Sequence, residues 1–182
     1  MNIFYLSNDA KTCAQYHCDK HVVKMIIEYA QLLSTAHRIL DGTQYFDKTA
    51  NGRNIKRWKI DDAREFVLYK ASHINHPSGV WVRQSLDHYQ WLWNLASELC
   101  QEYRYRYGGD TDKQHKTSLV IQNLSFAPNN IPRNGLFSEP PQAMPEDAKI
   151  PGDSIAAYRN YYKLYKTRFA TWKNREVPDW YK

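Results

Sequence analysis

The sequence predicts an all-α fold, a single domain of about four to five helices around a central N-terminal helix, and three observations carry that expectation. From Ala14 to Leu40 the residues follow helical spacing, with apolar side chains around most of the circumference. A second stretch, ending near Tyr107, places Val82, Leu86, Tyr89, Trp93, Ala96, Leu99, Cys100 and Tyr103 on one wide apolar face. No repeat or linker divides the 182 residues, which are enough to bury a real core.

Turned at about 100° per residue, the first stretch gathers His17, His21, Lys24, Glu28, Gln31 and Thr35 into a narrow polar stripe. A surface helix normally shows the reverse, an apolar stripe on a broad polar face. The inversion fits a central helix whose ionisable stripe faces a cleft, and it also fits a core helix whose stripe simply meets water.

Twenty-five Lys and Arg against 19 Asp and Glu leave a net charge of +6, which points to an anionic partner, nucleic acid first. Fourteen Tyr and 6 Trp can stack on bases as well as fill a core. Cys13, Cys18 and Cys100 form neither an even framework nor a CxxC pair and read as reduced, buried thiols of a cytoplasmic protein. Met1–Leu6 is too short for a signal peptide or a membrane span, so no export and no membrane partner are expected.

Residues 1–8 read as an extended arm, with Ser7, Asn8 and Asp9 as candidate caps for a helix running from near Ala10 to Asp41-Gly42. Thr43–Ile60 loses helical periodicity and gathers Arg53, Lys56, Arg57 and Lys59 about Trp58, which predicts a basic loop. Such a loop suits phosphates and a base, and equally suits a solvated segment with Trp58 tucked on the core. A short helix is expected within Asp61–Ala71. Pro77 then excludes His76 from the long aromatic helix, for which Ser78 is the cap. The alternation Tyr103-Arg104-Tyr105-Arg106-Tyr107 can clamp a nucleic-acid backbone or pack locally at the helix end. A shorter helix around Lys113–Leu124 precedes an irregular section, residues 125–152, that holds six of the eight prolines. Asp153 caps a last helix expected to reach Asn174, with Arg159, Lys163, Lys166, Arg168 and Lys173 beside a tyrosine-rich face. Residues 176–182 form an aromatic tail.

His17 and His21 have the i, i+4 spacing of a helical metal pair, but the glutamate and third ligand of a metalloprotease helix are missing, and His73 or His76 would have to supply one. No metal is assigned. Lys24 and Glu28 form a second i, i+4 pair. A desolvated Lys24 would be an amine nucleophile with Glu28 or Asp19 relaying protons, whereas an exposed pair is a weak surface bridge. No phosphate loop, nucleophile elbow or kinase signature occurs, and no cofactor is expected.

The run His17-Cys18-Asp19-Lys20-His21-Val22-Val23-Lys24-Met25, the segment Asn75-His76-Pro77 with Trp81 and Arg83, and Pro151-Gly152-Asp153 with Tyr158-Arg159-Asn160-Tyr161-Tyr162 together resemble a family of uncharacterised bacteriophage proteins over nearly the whole chain. More distantly, Ala14-Gln15-Tyr16-His17 and Trp180-Tyr181-Lys182 resemble the phage pyrimidine-dimer DNA glycosylases of the endonuclease V type. That resemblance implies an all-α domain with an N-terminal arm between helices and an active site along the first helix. It also implies an N-terminal amine, exposed by methionine removal, that attacks the sugar C1′ with help from a first-helix glutamate. The chain departs from that pattern in two places. Asn2 is bulkier than the residues that permit methionine removal, and the matching helical position falls at or near Lys24. Either Glu28 takes the acidic role one turn on, or Lys24 itself forms the imine, or the fold serves a modified base.

The expected function is a base-excision or base-modification enzyme that flips its nucleotide out of double-stranded DNA, acting as a monomer in the infected host's cytoplasm. His17, Asp19, His21, Lys24 and Glu28 are the catalytic candidates. Arg53, Lys56, Arg57, Trp58, His76, Arg83, Arg159, Lys163, Trp180, Tyr181 and Lys182 are the DNA-binding candidates. One footprint requires the 53–59 segment, the Tyr103–Tyr107 helix end and the final helix with its tail to converge beside the stripe. A non-catalytic binding module and a metal-dependent hydrolase are the competing readings.

Overall fold

A computed structural model describes residues 1–182. The arm, residues 1–6, has no regular secondary structure, and Ile3, Phe4, Tyr5 and Leu6 are buried among the helices. Asp9 caps α1 (Ala10–Tyr16) by accepting from the Thr12 amide at 2.8 Å.

The expected long first helix is two. His17 and Cys18 adopt extended backbone, and α2 (Asp19–Asp41) begins after them. A helix end leaves carbonyls without partners, and here distant groups take them: Arg106 Nη2 donates to Gln15 O at 2.9 Å and Trp172 Nε1 donates to Tyr16 O at 3.0 Å. The Asp19 amide, the first of α2, donates to Thr171 O at 2.8 Å. Nothing local predicts the break, because its partners come from α5 and from the segment at residues 171–172, far along the chain.

The all-α expectation is overturned. The chain is a mixed α/β protein, 47% helical, and Thr43–Lys59 is an antiparallel hairpin of β1 (Thr43–Lys48) and β2 (Asn54–Lys59) rather than a loop. Thr43 pairs with Lys59 and Lys48 with Asn54. The signal was present: β-branched and aromatic residues flank Asn51-Gly52, and Gly52 takes φ +79°, a conformation glycine adopts without steric cost. Gly42, between α2 and β1, is required for a different reason, since a Cβ there would lie 3.0 Å from Lys59 O and 2.5 Å from Arg38 O.

Arg38, fully buried, ties the hairpin to α2. Its Nε donates to Tyr69 O at 2.6 Å, Nη1 to Trp58 O at 2.9 Å and Glu65 Oε2 at 2.6 Å, and Nη2 to Glu65 O and Leu68 O. The same Glu65 Oε2 accepts from the Ile60 amide, so the turn that follows the hairpin closes on one ion pair. Within Asp61–Ala71 only α3 (Arg64–Val67) is helical.

The long aromatic helix is also divided. His76, not Ser78, caps α4 (Pro77–Val82), its ring accepting from the Ser78 amide, and Ser85 caps α5 (Leu86–Tyr107) by accepting from the His88 amide. Helix α5 packs along both α1 and α2. Helix α6 (Ser118–Asn123) is shorter than expected, residues 125–152 are irregular apart from a turn at Glu146–Ala148, and α7 (Ser154–Tyr165) stops well before Asn174. Asp153 caps α7 as expected, accepting from the Ala156 amide at 2.8 Å. No helix is long and apolar enough to cross a membrane.

Four histidines are buried in the fold, and three of them are held neutral mainly by desolvation with large shifts, His17 and His37 pushed down to about 4 and His21 to about 2 from 6.5. Unfolded, these rings take a proton near 6.5; folded, they refuse it until about 4 or below. Stability is therefore fully present above 6.5 and lost as pH falls from there, by roughly 1.4 kcal/mol per pH unit for each ring that stays neutral. Urea unfolding is expected to show a midpoint that is flat above about pH 7 and drops steeply toward about pH 4.5. A second expectation concerns Arg38→Ala, which strands the Glu65 carboxylate and four carbonyls, that of Leu68 buried and the others part-buried. It should cost about 3–5 kcal/mol in the same measurement.

Candidate nucleic-acid site

The stripe on α2 is real but shorter than expected, and its two ends have different fates. His17 lies before α2 and is fully buried. Its Nδ1–H donates to Cys13 O at 2.7 Å, which leaves Nε2 to accept from the Tyr29 hydroxyl at 3.1 Å, and that hydroxyl in turn accepts from the Phe4 amide. His21 accepts at Nδ1 from the Tyr162 hydroxyl at 2.5 Å and packs at a tilt against Phe4, ring centroids 4.2 Å apart. Both imidazoles are thus committed to the arm and to α7. No group of three His, Cys, Asp or Glu side chains is placed to hold a metal ion, so the paired-histidine reading finds no third ligand at His73 or His76.

Asp19 is a fastener. Its carboxylate accepts from Arg106 Nη1 at 2.9 Å, the Thr171 hydroxyl at 2.7 Å and the Lys173 amide at 2.9 Å. A carboxylate so engaged docks the tail on α2, and its bonds tie it to Arg106 and residues 171–173 rather than to the stripe.

Lys24, Glu28, Gln31 and Thr35 remain on the stripe. Lys24 Nζ lies 3.2 Å from Glu28 Oε1. The lysine side chain is 68% exposed and the carboxylate 16%, so the amine stands in water rather than in the desolvated setting a lysine nucleophile needs, while the glutamate is half-sunk in the surface. Two turns on, the Thr35 hydroxyl accepts from the Ser72 amide at 3.2 Å and so pins the segment that carries His73 and His76. His73 holds φ +49°, unusual for a residue other than glycine. Burial lowers the His76 pKa, helped by the charges of the N-terminal amine and of His73, and Glu28 acts in the opposite sense. These four groups therefore share one electrostatic neighbourhood on the surface beside α2.

Next to them lies a groove of about 490 Å³, bounded on one side by Asn54–Trp58 of β2 and on the other by Ala71–Ile74. The structure thus brings Lys56, Arg57 and Trp58 to one wall and His73 to the other, and Thr35 and Ser72 join the groove to the stripe. Arg53 lies in the exposed hairpin loop. Arg83 sits under the histidine segment, where Nη1 donates to Gly79 O at 3.0 Å and Nη2 to Ile74 O at 2.7 Å, so it shapes the wall rather than offering a free charge.

The remaining basic and aromatic candidates are elsewhere. Helix α2 is 23 residues long, roughly 34 Å, with the hairpin at its C-terminal end and the tail at its N-terminal end. Arg106 is buried in a network with Asp19 and Glu102, Tyr107 bonds Asp19 O, and Tyr105 donates to Asn174 O. Trp180 packs edge-on to Tyr16 and Tyr162 with the Arg159 guanidinium over its ring, and its indole N–H is buried without a partner. Arg159 also donates twice to Leu6 O, anchoring the arm. Tyr181 packs on Trp172 and Lys182 pairs with Asp179. Lys163 shares with Arg159 and Trp180 a separate open groove of about 440 Å³ on α7. The three basic segments therefore do not form one footprint.

Sequence reasoning passed over Tyr29 and Tyr162, the partners of the two histidines, and Phe46 and Lys48 on the hairpin. Only the Asn51-Gly52 turn could have pointed to the last two. Trp180→Ala is expected to act on packing, lowering stability by about 2–4 kcal/mol in urea unfolding while leaving the salt dependence of any DNA binding unchanged. Comparison with known family models, curated proteins and solved structures finds no match to this chain.

Proposed function

We propose that the chain is a DNA-acting enzyme of the base-excision type, working at Glu28 beside the basic groove. The observation that carries the reading is a half-sunk carboxylate in contact with an amine on α2, about 10 Å along that helix from Thr35, whose hydroxyl holds Ser72 in the wall of a groove also lined by Lys56, Arg57, Trp58 and His73. Phosphates would meet the cations, Trp58 would offer a stacking face, and an extruded nucleotide would reach the stripe.

In this reading an amine nitrogen attacks the sugar C1′ as the glycosidic C–N bond breaks and the base leaves with the bonding pair. Glu28 takes the proton from the attacking nitrogen and returns it to the ring oxygen as the sugar opens, leaving an imine. Lys24 is the amine in contact with Glu28, and the N-terminal amine shares the surroundings of His76. DNA docking would cover Lys24, supplying the desolvation that the free protein lacks.

Borohydride reduces such an imine to a stable secondary amine. Incubation with ultraviolet-damaged or base-modified duplex DNA and borohydride should give a protein–DNA adduct that Glu28→Gln diminishes by about 100-fold or more. Loss of the adduct in Lys24→Ala assigns the nucleophile to Lys24, and its persistence assigns it to the N-terminal amine. No adduct and no released base on any such substrate would sink the proposal and leave DNA binding without catalysis.

A further inference from the structure

The hairpin is the least explained part of the fold. Every residue of β1 is exposed, and the ribbon meets the rest of the protein only at its base and along the groove wall. A two-stranded ribbon has little stability of its own, and this one leaves Phe46 68% exposed with no packing role. It also concentrates charge. Residues 43–59 carry Lys48, Arg53, Lys56, Arg57 and Lys59 against the single carboxylate of Asp47, a surplus of four in a chain whose net charge is +6.

Register sorts the side chains. Directly paired residues share a face, so Gln44 with Trp58, Phe46 with Lys56 and Lys48 with Asn54 lie on one side, and Tyr45 with Arg57 and Asp47 with Ile55 on the other. Ile55 and Arg57 are half-buried, and Asn54 and Lys56 are exposed. The outer face thus presents two cations, two amides and the exposed Phe46 ring, with the half-buried Trp58 at its base, and the only carboxylate points the other way.

We propose that the β1–β2 hairpin is a DNA-gripping ribbon whose outer face, Gln44, Phe46, Lys48, Asn54 and Lys56, lies in the major groove of a B-form duplex. The dimensions agree: six-residue strands span about 20 Å, and two paired strands with their side chains fill a groove about 12 Å wide and overfill one of about 6 Å. Lys48 and Lys56 face the phosphates that flank the groove, the amides reach base edges, and Phe46 covers apolar base surface. Arg38 bonds Trp58 O and so holds the ribbon at a fixed angle to α2. The proposal rests on the DNA reading of the previous subsection but not on its chemistry.

The test is fluorescence anisotropy of the full chain with an undamaged B-form duplex between about 50 and 200 mM salt. Lys48→Gln with Lys56→Gln should flatten the slope of log K against log salt by about 2, near 0.9 per phosphate. Phe46→Ala should weaken binding about tenfold at every salt concentration without changing the slope. Lys11→Gln with Lys113→Gln, the same charge removed away from the hairpin, should leave the slope within about half a unit. These side chains are exposed, so circular dichroism and the urea midpoint should match wild type in every variant.

Hairpin variants that bind as wild type, or that lose no more than the Lys11/Lys113 control, overturn the ribbon even if borohydride trapping succeeds. Hairpin losses without any trapped adduct support the ribbon and refute base excision. Wild-type affinity that is low and independent of salt refutes both.

Discussion

A buried guanidinium must find an acceptor for each of its N–H groups, and one stands at each end of α2, Arg38 on the helix itself and Arg106 reaching it from α5. At the C-terminal end Arg38 meets this demand with the Trp58, Glu65, Leu68 and Tyr69 carbonyls and the Glu65 carboxylate. At the N-terminal end Arg106 meets it with Glu102, Asp19 and Gln15 O, and Arg175 closes the circuit on Glu102 at 2.8 Å. Exchanging such a network for apolar residues can cost little, whereas removing one member leaves charges and carbonyls buried alone. Its effect is therefore on specificity of arrangement: the hairpin can leave α2 in one direction, and the tail can return to it at one place.

Between those ends, the faces of α2 turned inward are committed to packing or to the tyrosine bonds of His21, and the arm extends the same logic. Phe4, against His21 and Tyr162, gives its amide to Tyr29, and Leu6 O receives Arg159. Satisfying the polar backbone of a buried irregular segment requires this many side-chain partners, because it has no ladder of its own. What is left over for solvent on the stripe is the short run Lys24, Glu28 and Gln31. A polar stripe on an otherwise apolar helix is thus mostly taken up by internal contacts, with a solvent-facing remainder two turns long.

Local signals made much of this legible, and long-range partners decided the rest. Helix-forming periodicity located the residues of α1, α2, α5 and α7, and Asp153 was recognisable as a cap, since each of these depends on neighbours within four residues. The break at His17-Cys18 was invisible because Arg106 and Trp172 create it. The hairpin was misread because lysines and arginines at β2 positions obscure an alternation that the pairing with β1 makes obvious. In the site, Lys24 and Glu28 were readable from i, i+4 spacing alone. Asp19, Arg83, Arg159 and Trp180 were not, because residue type declares hydrogen-bonding capacity but not which carbonyl or ring takes it up.

The spacing of what remains bears on how DNA would be held. Glu28 and Thr35 are seven residues apart on α2, about 10 Å, or about three base steps at 3.4 Å each. Thr35 marks the start of the groove wall through Ser72, and Arg38, which holds the ribbon at Trp58 O, lies ten residues from Glu28 along α2, about 15 Å against roughly 34 Å for one helical turn of duplex. Extruding a nucleotide costs a few kcal/mol of stacking and pairing. Phosphate contacts can offset that cost only if they hold the duplex near the flipped position, since contacts a full turn away leave the intervening steps free to relax. The Arg38 anchor fixes the ribbon relative to Glu28 through a single rigid helix, which is the mechanical condition for such an offset. The tail aromatics, at the opposite end of α2, do not meet that condition, and their packing on Tyr16 and Tyr162 accounts for them without a ligand.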